Sequence, residues 1–377
     1  MLAGPCKRDS RHSSPPANSM TRSSITFLLI SLLGLVLFLT RIIPTAWVES
    51  LHAQGLFPLY RFLLSTPLSA LPFSLTEVLI VLLAAGTVFA VARASLGPAP
   101  KETGGRRGAW KKLGLRGLLL VVLLLDLYLL GFGWLYQRAP LAERLGLPHG
   151  KSVADTFVEQ AFRSATQARL SRVHLPETVE MADLSTRALI ALRAVLPELQ
   201  TRPLPACRLK GAWPKGLLLR FSVSGIFSPF TQEAHMDPAI HPLSLPFVAV
   251  HELAHLAGFG PEDEASFVAW LACTRSSDPW FRYSGHASAF TRFERQMPVK
   301  MLADLHKTAG TGVLMDRMKV AERAKKYVNP TLSRAAWRTY DKILRSQGIK
   351  AGVKSYDLMT TLVLAWKAKI RAEKPGD

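Results

Sequence analysis

Apolar runs in the first third of the chain restrict its fold more than any other feature of the sequence. The runs lie at Ile25–Leu39, Leu75–Val91 and Gly117–Leu135. About 20 consecutive apolar residues form a helix that crosses a bilayer, and the first run reaches that length if it continues past Arg41. The sequence therefore predicts a membrane domain over residues 25–135, with three transmembrane helices at about 25–43, 75–91 and 117–135.

The segment that contains the first run has two interpretations. Residues 1–24 are polar and lack hydrophobic periodicity, which predicts a disordered cytoplasmic tail, and Met20 is an alternative start of the chain. The first run itself is short enough for the core of a cleaved signal peptide. No small-x-small cleavage site follows it, so we favour a retained anchor.

Basic residues are distributed unevenly between the loops, and this sets the orientation of the predicted helices. The loop 92–116 holds seven Lys or Arg against one Glu, and four basic residues precede the first run. The loop 41–74 holds only two basic residues, with one Glu. Because positively charged loops stay in the cytoplasm, we expect the N-terminus inside. Residues 136–377 then form an extracytoplasmic domain of a multi-pass protein of the cytoplasmic (inner) membrane.

The predicted outer domain is basic. Of the net charge of +20, the 34 Lys/Arg and 22 Asp/Glu after residue 135 contribute +12. Such a domain is attracted to the lipid bilayer through anionic head groups, or to anionic polymers of the cell envelope. We expect no nucleic acid as a partner, because the predicted compartment disfavours it and no binding motif is visible.

Two details of the sequence stay open. Asp126 lies in the middle of the third run, where we favour a protonated carboxyl bonded to a neighbouring helix over a functional charge. Cys207 and Cys273 share the predicted outer domain and would be able to pair in an oxidising compartment. Two cysteines alone do not establish a disulfide.

The segment His251-Glu252-Leu253-Ala254-His255 has the HExxH pattern of zinc peptidases. Pro246 marks a helix start after apolar sequence, so we predict a helix over Phe247–Gly258. Residues four apart share a helix face, so both imidazoles point at one metal ion. Glu252 then lies next to a metal-bound water as a general base. The other interpretation is a buried helix whose histidines satisfy local hydrogen bonds.

A catalytic zinc needs a third protein ligand and an open coordination position for water. Glycine and proline at 258–261 end the first helix, and the chain then reverses into a helix that starts at Glu262. We rank Glu262 first as the third ligand and Glu264 second, although acidic residues in a first turn also suit the helix dipole. Ser266 follows four residues later, where it would orient the Glu262 carboxylate.

The rest of the outer domain is predicted to be mainly helical, with little sheet. We predict helices over Ser152–Ser171 and Met181–Leu199, a strand over Leu217–Val223, a turn over Ser224–Pro229 and a short strand over Thr231–Met236. The last of these would align an extended peptide as an added strand. Tyr283 would donate to an oxyanion, although packing against a helix is the commoner role. For the further histidines near the motif we expect surface or packing roles; they are His235, His241 and His286.

Two resemblances extend this interpretation. Glu262-x-x-Ala265-Ser266 resembles the ExxA[DN] helix that supplies the third zinc ligand in gluzincins, with Ser266 in place of Asn or Asp. A wider resemblance, over about residues 25–366, is to an uncharacterised family of bacterial membrane proteins with three spans and an extracytoplasmic HExxH domain. The segments that carry it are Ser224–Thr231, Leu245–Phe247, Gly258–Phe259, Glu262–Cys273, Tyr283–Gly285 and Gly352–Tyr356. The resemblances imply a zincin-like fold and a zinc peptidase.

The expected architecture is a multi-pass α-helical membrane anchor joined to a mainly α (α+β), zincin-like soluble domain with a small sheet. The expected function is a membrane-anchored metallopeptidase that hydrolyses a peptide or protein substrate. Zn2+ would be bound by His251, His255 and Glu262, and Glu252 would deprotonate the zinc-bound water as general base. The alternatives are a non-catalytic envelope scaffold or binding protein that keeps zinc for stability, and a membrane protein with no metal.

Overall fold

The structure of the protein is a computed structural model that describes residues 22–98, 105–148, 150, 156–175 and 183–373. The predictions for residues 1–21 lie outside this part of the chain. Helices dominate the described residues. They are α1 (Arg22–Thr40), α2 (Thr45–Trp47), α3 (Phe57–Ser69), α4 (Leu75–Leu96), α5 (Gly105–Gly131), α6 (Leu141–Arg144), α7 (Phe157–Val173), α8 (Leu184–Val195), α9 (Leu245–Ala257), α10 (Glu262–Arg275), α11 (Pro279–Gln296), α12 (Leu302–Lys325), α13 (Pro330–Ser346) and α14 (Met359–Glu373). A π-helical segment covers Val48–Leu56, and 3-10 turns lie at Gly133–Gln137, Leu218–Phe221, Pro242–Ser244, Val299–Met301 and Gly352–Leu358.

The described chain divides into two compact units. One holds the residues up to Val36 together with Leu79–Asp126, which are most of the apolar parts of α1, α4 and α5. The other holds Leu37–Val78 and everything from Leu127 onward, and it contains the HExxH segment.

Two of the three predicted transmembrane helices are long and apolar enough to cross a bilayer. These are α4 and α5, whereas the apolar part of α1, Ser23–Leu39, is shorter. The prediction that the first span continues to residue 43 is wrong, because α1 ends at Thr40. Arg41 takes a left-handed backbone conformation with φ of 51°, which stops the helix. Its guanidinium donates to the backbone carbonyl of Gln347.

The third apolar run differs from its prediction in both bounds. α5 begins at Gly105 and ends at Gly131 rather than residue 135, because the chain tightens into the 3-10 turn at Gly133–Gln137. Asp126, within α5, accepts a hydrogen bond of 2.5 Å from the hydroxyl of Ser31 in α1. The expected bond from Asp126 to a neighbouring helix is therefore confirmed.

The sheet has three short strands, β1 (Lys210–Gly211), β2 (Gly225–Ser228) and β3 (Glu233–Met236), in the order β1-β3-β2. β3 is central, since it pairs in parallel with β1 and antiparallel with β2. In the antiparallel register Gly225 lies opposite Met236, and Ser228 opposite Glu233. β2 and β3 thus form a hairpin, and the outer edge of β2 has no strand partner among the described residues.

Two local predictions near the sheet are wrong. The sequence predicts a strand over Leu217–Val223, but a 3-10 turn forms there, since apolar residues do not alternate and Ser222 reverses the chain with φ of 58°. It also predicts a turn over Ser224–Pro229, and these residues contain β2. The strand predicted over Thr231–Met236 is confirmed in its last four residues as β3.

The helices of the second unit pack around α9. Every residue of α9 except Val248 is buried, and α8, α10, α11, β2 and β3 all contact it. The apolar residues around the HExxH segment therefore belong to the core rather than to a surface helix. The helices predicted over Ser152–Ser171 and Met181–Leu199 are confirmed as α7 and α8, although α8 ends at Val195 rather than Leu199, and residues 152–155 and 181–182 lie outside the described part.

The segment between the first two apolar runs supports the end of α9. Phe57 of α3 is buried beneath Gly258, where a Cβ would lie 3.0 Å from the Phe57 ring. Buried Arg61 donates to the carbonyl of Leu256 at 3.2 Å, and Arg138 donates to the carbonyl of Gly258 at 2.8 Å. These bonds satisfy carbonyl groups that a helix end leaves without intrahelical partners.

Candidate metal centre

The two histidines of the HExxH segment lie one turn apart on α9. The helix has Pro246 in its first turn and ends where Gly258 takes a left-handed conformation with φ of 102°. These bounds are close to the predicted ones. His251 and His255 are both buried, and their Nε2 atoms are 3.2 Å apart.

Glu262, the first residue of α10, completes a triangle of donor atoms. Its Oε2 lies 3.2 Å from His251 Nε2 and 3.4 Å from His255 Nε2. The short turn at 258–261 brings the start of α10 back beside α9, as the sequence predicts. Among the described residues, this is the only group of three His, Cys, Asp or Glu side chains with donor atoms so close together. We call His251, His255 and Glu262 the donor triangle.

The donor triangle has the dimensions of one face of a tetrahedral zinc site. Zinc lies about 2.0–2.1 Å from histidine nitrogen and carboxylate oxygen, so neighbouring donors of a tetrahedron are about 3.3 Å apart. Edges of 3.2, 3.2 and 3.4 Å match that spacing. Two histidines and one carboxylate are also a donor set of catalytic zinc sites, which keep a fourth position open. The residues present therefore fit a zinc ion.

Each imidazole of the donor triangle has a second polar contact through its other nitrogen. His255 Nδ1 lies 2.8 Å from the carbonyl oxygen of Phe259, and His251 Nδ1 lies 3.3 Å from the hydroxyl of Ser266. A proton on Nδ1 that is donated to these oxygens leaves the Nε2 lone pair free for a metal. The sequence predicts Ser266 beside the Glu262 carboxylate, whereas its hydroxyl lies beside His251.

Two tyrosines that the motif does not include also meet the donor triangle. The Tyr340 hydroxyl, on α13, donates to Glu262 Oε1, whereas the contacts with the two histidines are made by Oε2. Burial and repulsion from Glu262 raise the pKa of Tyr340, so the hydroxyl keeps its proton. Tyr356 stacks on His251 with ring centroids 6.4 Å apart, and burial with repulsion from Glu262 and Glu252 raises its pKa. The only sequence signal for either is the place of Tyr356 in a segment that carries the family resemblance.

Glu252 packs against the sheet beside the donor triangle. It is only 5% exposed, and a Cβ at position 225 would lie 2.5 Å from its Oε1, so only glycine leaves room for the carboxylate. Burial raises the pKa of Glu252 to about 8, opposed by attraction to His255 and assisted by repulsion from Glu262. A bound dication would lower that pKa. A carboxylate that holds a proton near neutral pH is suited to general acid–base chemistry.

His255 and Glu262 affect each other's pKa within the donor triangle. Burial disfavours protonation of His255, but attraction to the Glu262 carboxylate raises its pKa to about 9. Burial would likewise raise the pKa of Glu262, but the neighbouring histidines hold it well below its usual range. Since a metal ion takes neutral imidazole, binding at this site would release the proton from His255.

Two further candidates from the sequence have partners outside the donor triangle. The Glu264 carboxylate accepts hydrogen bonds from the amide of Leu141 at 2.7 Å and from Arg144 at 3.2 Å. It therefore secures α6, and the structure places Glu262 rather than Glu264 beside the histidines. The Tyr283 hydroxyl donates to Asp316 at 2.7 Å, so its bond is structural in character.

The other histidines and the cysteines near the motif have separate surroundings. His235 Nε2 lies 2.8 Å from the hydroxyl of Ser74, and the side chain of His241 caps the 3-10 turn at Pro242–Ser244. Cys207 and Cys273 are free thiols, so the disulfide that the sequence left open is not formed.

Residues 52–364 match the model of a family described as protein of unknown function (DUF3810). The matched segment contains the donor triangle, Glu252 and both tyrosines. The comparison with curated proteins found no match, and neither did the comparison with solved structures. The expected relation to an uncharacterised family is confirmed by this match over residues 52–364. The zincin-like fold stays a prediction.

Proposed function

We propose that this chain, which belongs to the DUF3810 family, is a membrane-anchored, zinc-dependent peptidase with its site on the outer side of the cytoplasmic membrane. The observation that carries the proposal is the donor triangle, whose edges of 3.2, 3.2 and 3.4 Å suit tetrahedral zinc. Glu252 lies next in the chain to the first ligand and is buried beside the site, where a general base is needed.

The chemistry would rest on a few side chains around the donor triangle. Zinc, when bound, supplies polarisation of a peptide carbonyl and lowers the pKa of a water molecule. Glu252 takes the proton of the attacking water and passes it to the leaving amine. We assign Tyr356, rather than Tyr283, as the donor to the oxygen that gains negative charge, because Tyr356 stacks on His251 whereas the Tyr283 hydroxyl donates to Asp316. Tyr340 holds Glu262 in position through its second oxygen.

The free edge of β2 is the place where an extended peptide would lie. The sequence suggests Thr231–Met236 for this role, but β3 is paired on both sides and has no free edge. β2 has one, and Gly225 at its start is packed on Glu252. A peptide added along β2 would therefore pass beside the general base.

α4 and α5 would anchor the site to a bilayer. The segment 92–116, which includes the end of α4 and the start of α5, carries seven basic residues against one acidic residue, and this favours the cytoplasmic side for these two helix ends. The start of α4 at Leu75 and the end of α5 at Gly131 then lie on the outer side, together with the basic region after residue 135. Its excess charge of +12 favours anionic lipid head groups or envelope polymers as partners.

Peptide cleavage by the zinc-loaded full chain tests the proposal. A mixed-sequence peptide library is incubated with the protein, and new peptide termini are identified by mass spectrometry. We expect cleavage by the wild type and none by Glu252→Gln, which retains zinc because it leaves the donor triangle intact. Glu264→Gln is the matched control, since that buried glutamate bonds Leu141 and Arg144, and it should still cleave.

The outcomes separate the candidate functions. Full activity in Glu252→Gln would exclude the assigned general base. A wild type that keeps zinc, depends on it for thermal stability and cuts no library peptide would favour the non-catalytic scaffold.

A further inference from the structure

The two apolar helices that would cross the bilayer each have one end in the compact unit that holds the donor triangle. The first residues of α4, Leu75–Val78, belong to that unit, and so do the last residues of α5, from Leu127 to Gly131. The chain also stays uncharged from Leu127 to Gln137, past the end of α5. The unit that carries the site therefore also contains one end of each apolar helix.

The start of α4 is capped by the sheet. The Glu233 carboxylate, on β3, accepts hydrogen bonds from the amides of Leu75 at 3.1 Å and Thr76 at 2.8 Å. These amides belong to the orphan donors of a helix N-terminus, and a carboxylate there also suits the helix dipole. Next to it, the amide of Trp213 donates to Glu77 in the first turn of α4 at 2.7 Å.

The end of α5 contacts the same hairpin. The side-chain amide of Gln232 donates to the carbonyl of Gly131 at 3.1 Å. A Cβ on Gly131 would lie 2.3 Å from the carbonyl oxygen of Pro229, so glycine is what allows the turn of the hairpin to pack on the helix end. The β2–β3 hairpin therefore touches the outer ends of both α4 and α5.

The donor triangle lies close to these helix ends. Phe132, the residue after α5, has its ring centroid 5.6 Å from that of His255. Along the hairpin, Gly225 is packed on Glu252, and Pro229 follows four residues later. At about 3.3 Å per residue, Gly225 and Pro229 are about 13 Å apart along the hairpin, so the distance from the general base to the end of α5 is of that order. The head-group layer on each side of a bilayer is itself about 5–8 Å thick.

Apolar side chains are exposed around the hairpin. Trp213 is 75% exposed and Ile226 is 51% exposed, and Phe230 in the hairpin turn is exposed as well. The Phe230 carbonyl accepts a hydrogen bond from the hydroxyl of Tyr60. Tryptophan and other aromatic residues are enriched where a membrane protein meets the head groups. We call Trp213, Ile226 and Phe230 the boundary patch.

We propose that the site cuts peptide segments that are tethered to the same membrane, with the boundary patch in the lipid head-group layer. A peptide along the free edge of β2 has one end at the helix ends and the other at Glu252. The bond opposite Gly225 is then about four residues from the point at which the substrate leaves the bilayer. The inference deepens the proposed function and rests on it.

Cleavage of matched peptides on vesicles tests the inference. The full chain is reconstituted with zinc into vesicles of phosphatidylcholine and phosphatidylglycerol. Mixed-sequence peptides are supplied either with a palmitoyl chain at one end or without it. We expect cleavage of the lipidated peptides to be at least about 10-fold faster, with cut positions centred about four residues from the anchor.

Variants of the boundary patch distinguish this geometry from the raised concentration of a lipidated peptide at the vesicle surface. Trp213→Ser and Phe230→Ser, which both lie outside β2, should slow cleavage of the lipidated peptides and leave that of the soluble peptides unchanged. Val299→Ser is the matched control, since Val299 is an exposed apolar residue in the 3-10 turn at Val299–Met301 and lies outside the boundary patch, and it should change neither rate.

A fluorescence measurement tests the location of the patch without activity. The difference in emission between wild type and Trp213→Phe reports Trp213, and lipids brominated near the head group should quench it. Absence of this quenching would overturn the inference. Equal cleavage of both peptide sets, with cut positions unrelated to the anchor, would overturn it as well. Either result would leave the proposed function standing. Failure to cut either set would overturn both.

Discussion

Gly225 and Glu252 are in contact so close that position 225 has no room for a side chain. A Cβ there would lie 2.5 Å from Oε1 of Glu252, 2.7 Å from its Cγ and 2.8 Å from its Cδ. The first residue of β2 therefore determines where the proposed general base is held.

Gly225→Ala should displace the Glu252 carboxylate without disturbing the donor triangle. A shift of about 1 Å in a catalytic group lowers turnover by about 100-fold, so we expect a loss of that order with zinc content unchanged. Peptide cleavage rate and metal content of the same sample measure the two effects. Gly211→Ala in β1 is the control, because its Cβ would meet only the Pro238 ring, at 3.1 Å. Equal activity in both variants would contradict the proposed role of the contact.

Tyr340→Phe removes the hydrogen bond to Glu262 Oε1 and should weaken zinc binding. Loss of a group that orients a metal ligand lowers metal affinity by about 10- to 100-fold. Competition with a calibrated zinc chelator measures the change. Tyr283→Phe is the matched control, since it breaks the bond to Asp316 and should cost about 2 kcal/mol of stability with zinc affinity unchanged. A loss of zinc affinity in Tyr283→Phe but not in Tyr340→Phe would contradict this assignment and would place Tyr283 at the metal site instead.

Phe57→Ala should destabilise the unit that holds the donor triangle, although Phe57 lies in the segment between two apolar runs. Phe57 is 1% exposed and packs beneath Gly258, so its truncation should cost about 3–5 kcal/mol of unfolding free energy. Phe62 on the same helix is 55% exposed, and Phe62→Ala should change stability by less than about 0.5 kcal/mol. Denaturant titration of both variants in one detergent makes the comparison. Similar midpoints would mean that α3 does not support α9.

His286 should make the folded protein less stable in mild acid. Burial lowers its pKa to about 4, and repulsion from Lys367 and Arg282 adds to the effect, whereas an unfolded histidine titrates near 6.5. Between these values the unfolded chain binds a proton that the folded chain does not. Stability is therefore lost as pH falls from about 6.5 to about 4, by up to about 1.4 kcal/mol per pH unit.

The substitution His286→Gln removes this titration. Denaturant unfolding at about pH 7 and about pH 5 should show a smaller difference for His286→Gln than for the wild type. The same replacement at the exposed His174 controls for the loss of an imidazole elsewhere. An unchanged pH difference in His286→Gln would contradict the assignment.

The centre of the candidate site was predictable because its geometry is local. The helical repeat places His251 and His255 on one face, and the break at 258–261 is short enough that Glu262 must come back near them. Tyr340, Tyr356 and Gly225 reach the site only through packing of distant segments. No spacing rule connects them to the motif, and the sequence marks Gly225 and Tyr356 only by their place in segments that carry the family resemblance.

The wrong predictions of secondary structure and packing also concern features that local sequence does not determine. β2 begins with glycine and reads as a turn, and it becomes a strand because β3 pairs with it. α1 is shorter than predicted because Arg41 leaves the helical conformation, which hydropathy does not register. The segment around Phe57 is apolar and lies between two predicted spans, so its packing against α9 was not visible in its composition.

Zinc content of the purified full chain tests the central claim most directly. After saturation with zinc and removal of the excess, the wild type should retain about one zinc per chain, the value for a single site with three protein ligands. Glu252→Gln should retain the same amount, and His255→Ala should retain almost none, since it removes one corner of the donor triangle. A wild type that keeps no zinc, or a His255→Ala variant that keeps as much as the wild type, would contradict the account.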